Sequence, residues 1–198
     1  YRAGRRPGGP TIEQALPAQD PRRQDLRGRG RSFRRYNDPE MNSTSDHARL
    51  IETLYTAFQR RDGAAMAACY HPEATFSDPV FPDLKGPEVG AMWRMLTERA
   101  TSLEVTFRDV KADGQGGSAH WEAVYPFSAT GKRVHNIIDA TFEFRDGKIF
   151  RHVDRFDFYR WTRMALGLPG VLLGWSPMLQ GSIRKKARSG LDAFMKKS

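Results

Sequence analysis

Three carboxylates and one imidazole stand in this sequence where such groups are costly. Along Ile149–Phe158, alternation places Phe150, His152, Asp154, Phe156 and Phe158 on one face of a strand, so a histidine and an aspartate lie among phenylalanines. Along Val134–Phe144, Asp139 shares a face with His135, Ile137 and Thr141, while Ile138, Ala140, Phe142 and Phe144 take the other. Asp78 ends the apolar run Ala74–Asp78 directly before Pro79. Buried ionisable groups are unfavourable unless paired or hydrogen-bonded. A carboxylate in an apolar cavity has its charged form disfavoured, which makes it a candidate acid or base near neutral pH. The plainer alternatives stay open: Asp139 and Asp154 brace the sheet through Arg or His neighbours, and Asp78 makes an Asp-Pro turn. The chain has no nucleophile motif, phosphate-binding glycine loop or zinc spacing. His135, His152 and Asp154 have no spacing that enforces a metal site, so neither metal nor cofactor is expected.

The elements that must position these groups follow from periodicity and punctuation. A helix capped at Thr44 or Ser45 runs to about Arg61 with Leu50, Ile51, Leu54, Tyr55 and Phe58 on one face. Asp62-Gly63 ends it, and an Ala-rich helix over 64–70 follows, then a turn at His71-Pro72-Glu73. A short strand leads to Asp78 and is stopped by Pro79. A third helix spans about 87–100, with Pro87 in its first turn and Met92, Trp93 and Leu96 inward. Strands are expected over Leu103–Val110, Ala119–Phe127, Val134–Phe144 and Ile149–Phe158. The last two are joined by Arg145-Asp146-Gly147-Lys148, a strong hairpin signal. Helices followed by a meander predict an α+β fold: a cone-shaped, strongly bent antiparallel sheet with three N-terminal helices enclosing a pocket.

Charge separates the chain into three parts. Residues 1–40 carry ten arginines against five acids, and 160–198 carry eight Lys or Arg against Asp192 alone. The middle, 41–159, has 14 basic and 17 acidic side chains, so the net charge of +9 belongs to the ends. A nucleic-acid-binding fold would concentrate positive charge on its folded face, so no specific nucleic-acid partner is expected. Residues 1–43 are expected to be a disordered Arg/Pro/Gly-rich extension, with the native protein starting at Met41; 44–160 is the folded domain. Residues 161–198 are read as an apolar and basic helical extension. Its Leu and Trp residues beside Arg184, Lys185, Lys186 and Arg188 suit either packing on the domain or peripheral membrane contact. The single cysteine, Cys69, excludes an internal disulfide and fits the reducing cytoplasm. No run reaches the roughly 18 to 20 apolar residues of a membrane span.

Leu54-Tyr55-Thr56-Ala57-Phe58 followed by Arg61-Asp62-Gly63 is one motif, and Tyr70-His71-Pro72-Glu73-Ala74-Thr75-Phe76-Ser77-Asp78-Pro79 a second. With Phe142-Glu143-Phe144-Arg145-Asp146-Gly147-Lys148-Ile149, they make residues 46 to 158 resemble the nuclear transport factor 2-like superfamily, in its SnoaL-like and ketosteroid isomerase-like branches. The resemblance implies Tyr55 as a hydrogen-bond donor to a substrate carbonyl, Asp78 as general base and Asp139 as a protonated second donor; ketosteroid isomerase is the standard example of this arrangement. His152 and Asp154 fall where those isomerases carry apolar residues. The position of Asp154 is closer to that of the catalytic acid in SnoaL-like polyketide cyclases. The implied activity is proton abstraction beside a carbonyl. His152 and Asp154 would tune or replace a donor, and Trp93, Trp121, Tyr125, His135 and Phe156 would contact the substrate. Epoxide hydrolysis, as in limonene epoxide hydrolase-like relatives, would need an arginine between two acids. Arg151 and Arg155 instead alternate away from Asp154. A non-catalytic ligand-binding or dimerisation module is the remaining alternative. The expected partners are a small hydrophobic or carbonyl-containing ligand and a second copy, joined through the apolar face of Ile138, Ala140, Phe142 and Phe144.

Overall fold

The computed structural model describes residues 39–114 and 116–197, with side chains from 44 onward. Residues 1–38, most of the segment expected to be disordered, lie outside the described residues. Helix α1 (Pro39–Gln59) begins before the expected cap and buries Ile51, Leu54, Tyr55 and Phe58. Asp62 caps α2 (Gly63–Ala68) by accepting from the Ala65 N–H. Strand β1 (Tyr70–Ser77) follows directly, where a helix end and a turn were expected. The backbone of β6 overrides that local signal: the Ile149 N–H donates to the Cys69 carbonyl, and Tyr70 pairs with Ile149. A register shift between Tyr70 and Thr75 absorbs the ring of Pro72.

Strand β2 (Leu84–Lys85) and helix α3 (Pro87–Arg99) complete the first half. The second half is β3 (Glu104–Ala112), β4 (Gly117–Pro126), β5 (Arg133–Arg145) and β6 (Lys148–Arg155). The strands form one sheet in the order β2-β1-β6-β5-β4-β3. The fold is α+β, as expected, but the sheet is mixed, because β1 runs parallel to β6. That pairing moves β6 from the end of a meander to an interior position, flanked by β1 and β5.

The inner face of β5 is opposite to the one expected. Ala119, Trp121 and Ala123 of β4 are buried, and they pair directly with Ala140, Ile138 and Asn136. Directly opposed residues share a face, so Val134, Asn136, Ile138, Ala140 and Phe142 form the core and Asp139 points out. The apolar face expected to seek a second copy is therefore covered by the protein's own helices and supplies no dimer surface. A bulge corrects β6 as well. Glu143 pairs with Arg151 and Phe144 with Ile149, so Phe150 is an extra residue turned outward under the Arg145 guanidinium, 3.4 Å from its centroid. Ile149, His152 and Asp154 then all face the core.

Three helices end the chain: α4 (Phe158–Leu166), α5 (Leu168–Leu173) and α6 (Pro177–Met195). Asp157 caps α4 and so ends β6 earlier than the phenylalanine pattern suggested. α4 ends at the Gly167 cap, and Leu168-Pro169-Gly170 opens α5, since proline is accommodated in a first turn. α5 lies against α4 through Gly170 and Gly174. A methyl group on Gly170 would sit 1.9 Å from the Thr162 carbonyl oxygen, and one on Gly174 would sit 2.0 Å from the Thr162 Oγ1. α6 starts at Pro177 on a Ser176 cap and returns over the domain, where Leu191 is fully buried in the main core. Gly170→Ala is expected to lower stability by about 1–3 kcal/mol in urea unfolding, because the backbone of α4 must move. Gly181→Ala, inside α6 with open space around it, is expected to raise stability by about 0.5–1 kcal/mol in the same assay.

Candidate functional site

The inner face of β6 carries the two polar groups that the core must accommodate. His152 has no exposure and Asp154 has 4%. Sitting two residues apart, they point the same way, and His152 Nε2 lies 2.9 Å from Asp154 Oδ1. The other ring nitrogen, Nδ1, lies 2.7 Å from the Tyr70 hydroxyl, which accepts from Trp93 Nε1–H at 2.8 Å. Trp121 Nε1–H donates to Asp154 Oδ1 at 3.2 Å. Tryptophan can only donate, and with the proton of His152 on Nε2 one direction runs through the chain. Trp93 donates to Tyr70, Tyr70 to His152 Nδ1, and His152 Nε2–H to Asp154, with Trp121 closing the far end. Tyr70 was not among the residues singled out from sequence, because it was placed at a helix end. Asn136, also inward and buried, was missed through the inverted face of β5.

Tyr55 projects from α1 into this interior. Its ring lies 5.7 Å from Trp121 and 5.4 Å from Phe107, and its buried hydroxyl has no hydrogen-bond partner among the described residues. Burial, then the charge of Asp154, then Tyr70, push this hydroxyl well above the usual tyrosine range, so it is a neutral donor.

Asp78 stands at the end of β1. Its Oδ1 accepts from the backbone N–H groups of Val80 (2.7 Å) and Phe81, so the turn-making role is present. Burial nevertheless raises the carboxyl from the ordinary 3.8 to about 6; the two backbone donors and His152 oppose this, and Asp154 adds to it. Tyr125 shares this region. Burial lifts its hydroxyl to about 12, with Asp78 contributing, while Trp161 Nε1–H donates to it at 2.9 Å. Phe156, half-buried, joins the main core to the smaller cluster of Val134, Phe158, Trp161 and Ala165.

The structure thus brings together Tyr55, Asp78, Trp93, Trp121, Tyr125, His152, Asp154 and Phe156, and it excludes two expected members. Asp139 is on the outer face with its side chain 79% exposed, 2.8 Å from His120 Nδ1. His135, also outward, lies 2.6 Å from Glu122 Oε2. Both were misplaced by the same inversion of β5, which puts the strand's continuous apolar face inward. His135 therefore cannot join His152 and Asp154 on one ion. Arg151 and Arg155 point outward as expected, Arg151 pairing with Glu143.

The expected pocket is not open. Tyr55 and His152 have no exposure at all, so no water-sized space lies beside them. The C-terminal helices lie next to Asp78: Arg184 Nε donates to the Pro79 carbonyl at 2.9 Å, and its guanidinium sits over the Phe158 ring.

A family model described as a SnoaL-like domain matches residues 51–152. An LEH-like epoxide hydrolase of M. tuberculosis superposes with a TM-score of 0.53 at 23% identity, over 66% of this chain and 97% of that one. A putative polyketide cyclase from Xanthomonas campestris pv. campestris gives 0.53 at 21%, over 62% and 98%. A protein from a soil-derived mobile gene cassette gives 0.56 at 19%, over 63% and 99%. These likenesses establish the fold. No curated protein matches the sequence.

A carboxyl whose folded-state value lies above its unfolded one keeps its proton in the folded chain between about pH 4 and 6. Stability is therefore lost as the pH rises through that window and is level above it. Asp78→Asn keeps an acceptor for Val80 and Phe81 but has nothing to ionise. Its stability relative to wild type is expected to rise by at most about 3 kcal/mol between pH 4 and 7, measured by urea unfolding at each pH.

Proposed function

Because the chain belongs to the SnoaL-like domain family, we propose that it is a small-molecule enzyme that moves a proton beside a carbonyl group. Solved structures of this fold include an LEH-like epoxide hydrolase and a putative polyketide cyclase. The observation that carries the reading is the unpartnered, buried Tyr55 hydroxyl in a core that also holds the His152–Asp154 pair. Buried polar groups in folded proteins are nearly always satisfied, and this hydroxyl would donate to a ligand oxygen once the rings of Phe107, Trp121 and Phe142 move apart to admit one.

In this reading Asp78 is the base. Oδ1 is occupied by two backbone donors, so Oδ2 takes the proton from the carbon next to the carbonyl. Negative charge moves to the carbonyl oxygen, where the Tyr55 hydroxyl donates to it. The proton held on Asp78 returns at another carbon, or the carbanion closes a ring before it returns. His152 and Asp154 do not supply the second donor foreseen in Asp139; they tune the two groups instead, the charge of Asp154 raising Asp78 and Tyr55. Trp93 and Trp121 hold that pair in register while lining the apolar wall. A small, largely apolar carbonyl compound suits these surroundings. Its access requires displacement of the cover around Arg184 and Phe158.

The filled interior favours a second reading, a non-catalytic module that opens only for a ligand. Both are tested by screening β,γ-unsaturated ketones and β-keto esters. Turnover is expected to rise with pH through about 6. Asp78→Asn should lower kcat/KM by about 10²–10⁴-fold and Tyr55→Phe by about 10²-fold or more. Equal turnover of every accepted carbonyl compound by both variants and wild type would sink the enzyme reading. Thermal stabilisation by a compound that is never converted would support the binding module.

A further inference from the structure

We infer that the α5–α6 segment is a docking surface for an anionic lipid bilayer. Of the eight large hydrophobic residues exposed among the described residues, six fall within 168–178: Leu168 at 70%, Val171 at 43%, Leu172 at 60%, Leu173 at 54%, Trp175 at 66% and Met178 at 86%. Large apolar side chains gathered this closely at a surface mark an interaction site rather than the ordinary scatter of single exposed residues.

The packing of α5 explains why they are outside. A surface helix normally turns its large apolar residues inward. In this segment the inward positions are Gly170 and Gly174, four residues apart and in contact with Thr162 of α4. The backbone is seated against the domain and every large side chain is turned to solvent. The carbonyls at the end of the segment are already satisfied: Val171 by the Tyr159 hydroxyl, Leu172 by Trp175 Nε1–H and Gly174 by Gln180 Nε2. Such a surface can enter an apolar medium without exposing unpaired backbone to it.

Charge complementarity selects an anionic bilayer as the occupant. Residues 158–197 carry eight Lys or Arg and one acid. Lys185 lies seven residues beyond Met178 on α6, two turns along the same face, with Lys186 beside it. Both are exposed and make no ion pair among the described residues. Lys132, at the β4–β5 hairpin, lies against Gly167 at the start of α5. Leu and Trp flanked by lysine are the composition of an interfacial surface, and each lysine near an anionic bilayer strengthens binding about five-fold. No helix among the described residues is long and apolar enough to cross a membrane. The contact is therefore one that lies on the surface.

Trp175 supplies the probe, since Trp93, Trp121 and Trp161 are 2–6% exposed. The full chain is mixed with vesicles of phosphatidylcholine alone or with 30% phosphatidylglycerol, with and without brominated acyl chains. Co-sedimentation with the anionic vesicles and bromine quenching of the exposed tryptophan are expected, with the quenching abolished by Trp175→Phe. Leu172→Asn with Leu173→Asn, both at exposed positions, is expected to weaken binding at least ten-fold with unchanged circular dichroism. Lys185→Gln with Lys186→Gln should weaken it about 25-fold at low salt. Three outcomes overturn the inference. Vesicle binding without Trp175 quenching would place the contact on the arginine-rich first forty residues. Concentration-dependent dimerisation abolished by the leucine variant, with no vesicle binding, would make the patch a copy-to-copy interface. Binding that the leucine variant leaves unchanged would remove the patch from any role.

Discussion

An imidazole and a carboxylate two residues apart on a strand must point to the same face, and on β6 that face is the core. Burial of two such groups without partners would cost several kcal/mol, and each unpaired donor or acceptor left beside them about 1–3 kcal/mol. The remaining interior is arranged around this requirement. Trp93 comes from α3, Tyr70 from β1 and Trp121 from β4, each bringing one polar atom to a five-residue chain of hydrogen bonds. Three elements remote in sequence thereby converge on one strand. The parallel pairing of β1 with β6 follows, because it delivers the Tyr70 hydroxyl to His152.

The same arrangement explains why one hydroxyl can be left over. Trp93 and Trp121 have a single N–H each, and both are spent on Tyr70 and Asp154. Tyr55 packs against the rings of Phe107, Trp121 and Phe142 and finds no hydrogen-bond partner among the described residues. A phenylalanine there would fill nearly the same volume without an unsatisfied group. The tyrosine thus leaves one buried donor without a partner among the described residues, and Asp78, raised to about 6 chiefly by burial, feels the same Asp154 charge.

Where the sequence was legible, a local rule and the global packing agreed. The inward face of α1, the Asp146-Gly147 hairpin and the burial of His152 with Asp154 follow from periods of 3.6 or 2. On α3, Met92 and Trp93 are inward as expected, but Leu96 is exposed and Met95 is buried in its place. The failures occurred where alternation alone was ambiguous. On β5 both faces carry apolar residues, and the choice is fixed by registry: Trp121 lies opposite Ile138, so Asp139 follows His120 outward. A one-residue error of face exchanges the whole set, which is why Asp139 and His135 were misplaced together. The bulge at Phe150 and the extension of β1 back to Tyr70 are tertiary in origin. Nothing local marks Phe150 as the extra residue, and His71-Pro72-Glu73 is good turn chemistry that the neighbouring strand overrides.

The C-terminal helices show the opposite relation between pattern and burial. Elsewhere in the domain small residues let large ones interlock; at α5 two glycines are buried and the leucines are not. One segment therefore has two unlike sides. The side toward the domain reaches Pro79, beside Asp78, through Arg184, and the other side is apolar with lysines at its margin. The segment is held to the domain by the Tyr159 hydroxyl on the Val171 carbonyl, by Arg184 on the Pro79 carbonyl and over the Phe158 ring, by the Arg188–Glu88 pair and by two glycine seats. It has few large side chains anchoring it before α6 buries Leu191. The outer side of α5 therefore lies on a segment whose inner side touches α4 through Gly170 and Gly174 and, through Arg184 of α6, the loop after Asp78.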